Sequence, residues 1–228
     1  MISDKSMRFY HLIFELIKSI KEKPFLLYLL VACVVFWPVS LLNFTLQNDF
    51  VNVYLPWRFL GSEMIRGGYS PLWNLYTDGG YPFFADLQYS IWNPELFLVS
   101  LFSRYNASIA QLLFLIYLAI GATGFNLYLK HFKISKKSAF LVGLVYMLSG
   151  VFSGHAQSFV SMISLVWLPW VLYSYSSLIK QGYSLKGFLL FTLCTFLLLS
   201  SAYQAISIML FYILLSLFVN KIFQLIRK

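Results

Sequence analysis

Five apolar runs constrain this chain more than any other feature, and the only charge among them is Lys186, at the start of the last run. Crossing a bilayer as a helix takes about 20 apolar residues. The runs 25–46, 107–129 and 159–178 meet that length. The run 138–152 is shorter, so it is expected to extend at both ends or to sit among the other helices. The last run, 185–219, would make a helix about 52 Å long at 1.5 Å per residue, against a hydrocarbon core of about 30 Å. It must divide, and the small polar stretch Ser200-Ser201-Ala202-Tyr203-Gln204 is the expected break. The reading is an all-α, polytopic transmembrane bundle of six spans. Composition agrees: 60% of the 228 residues are hydrophobic and 11% are charged, where a soluble domain averages about 25% charged.

Positive charge then orients the bundle. Fourteen of the 17 Lys and Arg residues fall on one side of the six-span arrangement, in the N-terminal segment, the 130–137 and 180–186 links and the C-terminal tail. Arg58, Arg66 and Arg104 fall on the other. By the positive-inside rule both termini are expected in the cytoplasm of a plasma-membrane protein, with the 48–106 loop outside the cell. The net charge of +9 is thereby absorbed by loops facing membrane lipids, and no nucleic-acid partner is expected. Residues 1–24 form a separate element in this reading. Phe9, Leu12, Ile13, Leu16, Ile17 and Ile20 repeat at helical spacing beside Lys18, Lys21 and Lys23, as in a helix lying on the cytoplasmic leaflet before Pro24 starts the descent into the 25–228 module.

The apolar spans hold no ionisable group of the kind that ion-coupled transport places at membrane depth. Phosphate-loop, dinucleotide and zinc signatures are also lacking, and Cys33 and Cys194 read as small buried hydrophobes. Chemistry therefore concentrates in the 48–106 loop. It carries Asp49, Glu63, Asp78, Asp86 and Glu95, with Arg58 and Arg66 and twelve aromatic residues between Phe50 and Trp92. A link this long in a compact protein usually has structure or function of its own. Residues 51–65 are expected as an amphipathic surface helix, and Gly67-Gly68, Ser70-Pro71 and Gly79-Gly80 as turns. Aromatic rings interleaved with amides at Trp73, Asn74, Gln88, Trp92 and Asn93 suit a sugar, which offers an apolar face and a rim of hydroxyls.

The motifs Pro71-Leu72-Trp73-Asn74-Leu75-Tyr76, Gly80-Tyr81-Pro82, Ala85-Asp86-Leu87-Gln88 and Trp92-Asn93-Pro94 resemble the first extracytoplasmic loop of the YfhO-like membrane proteins. Leu75 stands where that family usually has Pro. Ser149-Gly150-Val151-Phe152 through His155, Trp167-Leu168-Pro169 and Ser201-Ala202-Tyr203-Gln204 are similar to later stretches, the last keeping only the Gln of a Gly-His-Pro-Gln pattern. The likeness spans about residues 25–220. Members of the family are longer, so this chain reads as the N-terminal part of one or as a short member.

The resemblance implies a GT-C-type glycosyltransferase that takes a sugar from a polyprenyl-phosphate carrier and adds it, with inversion, to an extracytoplasmic glycan or lipid acceptor. It implies Asp49, close to the end of the first span, as catalytic base, with Asp86 as the second carboxylate. Arg58, Arg66 and His155 become candidates for the leaving phosphate, and Trp73, Asn74, Asp78, Gln88, Trp92 and Gln204 candidates for substrate binding. A divalent cation between Asp49 and another loop acid is compatible with the superfamily, although no ligand spacing demands one. The alternative is a non-catalytic module that binds a lipid-linked saccharide or assembles with a partner supplying further helices.

Overall fold

A computed structural model of the chain describes residues 23–181, 184–201 and 203–226. The interfacial helix expected over 1–24 falls almost wholly outside them. The described helices are α1 (Pro24–Val35), α2 (Trp37–Ser40), α3 (Leu55–Arg66), α4 (Pro94–Phe102), α5 (Ala107–Lys130), α6 (Lys136–Met147), α7 (Gly150–His155), α8 (Phe159–Gln181), α9 (Leu185–Ser200) and α10 (Gln204–Ile226). An isolated antiparallel bridge pairs Asn74 with Tyr81 in the long loop.

Among the described residues, four segments are long and apolar enough to cross a membrane: α5, the Lys136–His155 segment formed by α6 and α7, α8 and α10. The 138–152 run does lengthen at both ends, to Lys136–His155. The last run breaks where small polar residues interrupt it, α9 stopping at Ser200 and α10 starting at Gln204. Two of the six expected spans are shorter apolar helices. The 16 residues of α9 make about 24 Å of helix and the 12 of α1 about 18 Å. Proline explains α1. Pro38 has no N–H to donate and its ring crowds the carbonyl four residues back, so the helix breaks at Phe36. After Ser40 the Pro38 carbonyl accepts the Asn43 and Phe44 amides at 2.9 and 3.2 Å, closing a turn instead of another helical step.

The central helix is α5, packed against α1, α6 and α8, while α9 lies on the far side of α8. Small residues let α5 and α8 approach. A Cβ on Gly124 would stand 2.5 Å from Cδ1 and Nε1 of Trp170, and the Trp170 indole N–H donates to the Ile120 carbonyl at 2.9 Å. Polar side chains face inward: Gln111 and Asn126 on α5 and Ser161 and Ser164 on α8 are buried. Ser164 meets Ser201 oxygen to oxygen at 2.5 Å, fastening α8 to the α9–α10 junction. Large apolar side chains face outward instead, Ile208, Phe211 and Tyr212 of α10 each being more than half exposed. Lipid is a good solvent for such a surface, and interhelical packing and hydrogen bonds hold the interior.

The same inversion shapes the long loop. Its first part is a π-helical turn, Phe50–Tyr54, running into α3. The helix expected over 51–65 is present, but its buried side carries Arg58, Gly61 and Ser62 while Phe59 is exposed. Beyond α3 the backbone turns through Asp78, Gly79 and Gly80, all at positive φ (51°, 73° and 132°). Asn74 closes this hairpin by exchanging backbone hydrogen bonds with Tyr81 at 2.8 and 2.7 Å, and its side chain caps the Tyr76 amide and donates to Thr77. Phe83 and Tyr89 stack beneath it, ring centroids 3.7 Å apart. The density of Gly, Pro, Asp and aromatic residues in 67–95 thus builds a compact cap. It is tied to the bundle where Ser90 Oγ donates to the Ser201 carbonyl at 2.9 Å.

Candidate functional site

At the Asp49 end of the bundle, four chain segments enclose a groove of about 280 Å³, room for a single sugar ring. The π-turn and the start of α3 contribute Asp49, Tyr54 and Trp57; the cap contributes Gln88; the approach to α8 contributes Gln157 and Phe159; and the entry to α10 contributes Tyr203 and Gln204. The lining therefore combines aromatic rings, three amides and one carboxylate. Asp49 is exposed, and its carboxylate makes no hydrogen bond or ion pair with a described residue. It is held by its neighbour. Asn48 adopts a left-handed backbone (φ 58°) and donates to Gln157 Oε1 at 2.7 Å.

Of the side chains singled out in the sequence, Asp49, Gln88 and Gln204 line this groove. His155 reaches its edge, with its ring 6.3 Å from that of Tyr203. The others serve elsewhere. Asp86 is a turn latch, accepting the Tyr81 hydroxyl at 2.9 Å and the Gln88 amide at 2.8 Å; that bond raises the Tyr81 pKa. Asn74 and Asp78 shape the hairpin, Trp73 covers Gly80, and the Trp92 indole donates to the Phe84 carbonyl. Arg66 donates to the Ser100 carbonyl at 3.0 Å, joining α3 to α4.

Arg58 lies behind the groove wall, 1% exposed. Its guanidinium sits over the Tyr54 ring, 5.1 Å from the centroid, and donates to the Ser90 carbonyl at 3.2 Å. Beside it is a carboxylate not chosen from the sequence. Glu95 is 7% exposed and accepts three phenols: Tyr54 at 3.1 Å and Tyr105 on Oε1, and Tyr117 at 2.6 Å on Oε2. Burial, then the Glu95 charge, hold the Tyr54 and Tyr105 hydroxyls well above the ordinary phenol range, so both stay protonated donors. Burial alone would lower the Arg58 pKa, but the nearby Glu95 charge outweighs it and raises it. The cluster is a neutralised, hydrogen-bonded support that fixes the Tyr54 floor of the groove. Its local signal was visible only as Asn93-Pro94-Glu95, a helix start in which Asn93 caps the Glu95 amide at 3.0 Å.

Among the described residues, no group of three His, Cys, Asp or Glu side chains gathers to hold a metal ion. Asp49 alone could give a divalent cation a carboxylate here, the remaining ligands coming from a substrate phosphate and water, as Mg²⁺ commonly accepts. Comparison with family models, curated proteins and solved structures returns no match to this chain.

Proposed function

We propose that this chain is a GT-C-like membrane glycosyltransferase module, with the Asp49 groove as the place where a sugar passes from a polyprenyl phosphate to an extracytoplasmic acceptor. The observation behind the proposal is the Asp49 carboxylate, without a partner among the described residues, at the mouth of a groove walled by aromatic rings and amides. In this reading the bundle has six spans, with α1 and α9 as its thin members and the Asp49 end outside the cell. The carrier's isoprenoid tail lies along the apolar helix surfaces. The sugar ring stacks on Trp57 or Tyr203, and Gln88, Gln157 and Gln204 bind its hydroxyls. Asp49 removes the proton from the acceptor hydroxyl as that oxygen attacks the anomeric carbon. The bond to the phosphate oxygen breaks, and polyprenyl phosphate departs with the electron pair. His155 and the amides are the nearest groups to receive the developing phosphate charge, while Arg58, its charge balanced by Glu95, serves to hold Tyr54 in place.

Membranes containing the chain, supplied with radiolabelled polyprenyl-phosphate hexose, test this. Wild-type protein should consume the donor, and Asp49→Asn should slow consumption by about 10²–10⁴-fold, the range for losing a general base, at unchanged membrane abundance. Undiminished turnover by Asp49→Asn removes Asp49 from the chemistry. Donor binding without consumption by wild-type protein favours a lipid-saccharide binding module, a reading supported by the single carboxylate in the groove. Orientation is tested separately in a background lacking Cys33 and Cys194. A cysteine at Ser70 should react with an impermeant reagent in intact cells, and one at Ser135 should not.

A further inference from the structure

At the end of the bundle opposite Asp49, α1, α5 and α6 enclose a cavity of about 520 Å³ that the proposed transfer does not use. Pro24 and Phe140 supply apolar walls, and Lys130, Lys136 and Lys137 supply three ammonium groups, with no acidic residue among the described lining residues. Lys136 and Lys137 also open α6, whose N-terminal amides add positive potential. Asn126 lines the cavity and is 2% exposed. The Tyr28 hydroxyl donates its one proton to the Phe140 carbonyl at 3.1 Å, so the Asn126 group facing it at 2.9 Å must be the donor Nδ2. This leaves Asn126 Oδ1 as a buried acceptor with no partner among the described residues.

The chemistry asked for is specific. The amines and the helix terminus want an anion, Asn126 Oδ1 wants a hydroxyl or other donor, and the apolar walls at the helix ends lie where lipid head groups meet acyl chains. The geometry points to a binding site for an anionic phospholipid whose head group carries a hydroxyl, with phosphatidylglycerol as the simplest example. Basic pockets between membrane helices hold anionic head groups in this way. The phosphate lies among Lys130, Lys136 and Lys137, the head-group hydroxyl donates to Asn126, and the glycerol backbone rests on Phe140.

Native mass spectrometry of the full chain in neutral detergent, titrated with short-chain lipids, tests the site. Phosphatidylglycerol should bind at least about tenfold more tightly than phosphatidylcholine, a difference of about 1.4 kcal/mol. The triple variant Lys130→Gln, Lys136→Gln, Lys137→Gln should lose that preference while keeping the unfolding temperature of lipid-free wild type. Asn126→Leu should weaken phosphatidylglycerol to the level of phosphatidic acid and leave phosphatidic acid unchanged. Equal binding of phosphatidylcholine, or a preference that survives in the triple variant, overturns the site. Inorganic phosphate that competes at the same concentration as the lipid makes it a free-anion site and overturns the lipid assignment. Full phosphatidylglycerol affinity in Asn126→Leu removes the hydroxyl contact.

Discussion

The Asn48 side-chain amide donates to Gln157 Oε1 across 2.7 Å, joining the residue before Asp49 to the approach to α8. The two positions are 109 residues apart, and Asn48 sits at φ 58°, where Asn is tolerated and Ala is not. Asn48→Gly keeps the backbone and removes the clamp; Asn48→Ala loses both. The Ala variant should therefore be about 1 kcal/mol less stable than the Gly variant, and donor turnover should fall by a similar factor in both. Denaturant unfolding in micelles measures the first and the donor assay the second. Equal stability of the two variants would contradict the assigned strain.

Glu95 is the acceptor on which Tyr54, Tyr105 and Tyr117 converge, and its charge lies beside the buried Arg58. Glu95→Gln puts an N–H₂ against hydroxyl donors and leaves the guanidinium uncompensated. A loss of about 3–5 kcal/mol is expected. Adding Arg58→Met to it should cost less than the two single changes together. Thermal unfolding of all three variants in nanodiscs checks this, and simple additivity would argue against coupling.

Helix approach at Gly124 leaves no room for a side chain. Gly124→Ala places a methyl against Trp170 and should cost about 1–3 kcal/mol, the usual range for overpacking. Gly154, with nothing within 4 Å of its built Cβ, is the control. There the Ala substitution should be neutral or stabilising by about 0.4–1 kcal/mol, through lower chain entropy in the unfolded state. Matched unfolding curves for the two variants would remove the packing argument.

His131 follows α5 and meets Ser177 at 3.0 Å. Burial, then nearby Lys180, lowers its pKa below 6.5. In the pH range below 6.5 the unfolded chain therefore binds the proton more readily than the folded one, so stability present above 6.5 is lost as pH falls through the lowered folded value. His131→Gln should flatten that acid limb. Unfolding temperatures from pH 8 to pH 5 for both proteins provide the measurement, and parallel curves would show that His131 does not titrate in this way.

Features that depend on a few consecutive residues were legible in the sequence. Apolar runs identified α5, α8 and α10 because transfer of each side chain out of water hardly depends on its neighbours. Small polar residues marked the break between Ser200 and Gln204, and Gly79-Gly80 marked a turn because positive φ is nearly free for glycine. Even local chemistry can be outvoted: the 25–46 run was apolar enough to span, yet Pro38 ends the helix early. The sequence also singled out Asp49, Gln88 and Gln204 one by one. It could not bring them to one groove, since that depends on how the cap seats on α8 and α10. Arg58 and Glu95 show the limit most plainly. Arg58 read as a candidate for the leaving phosphate and Glu95 as one more loop carboxylate, and only the tertiary structure decided that both are buried. A charge leaves water when partners from elsewhere replace its hydration, and here Tyr54 and Tyr117 lie 41 and 22 residues from Glu95.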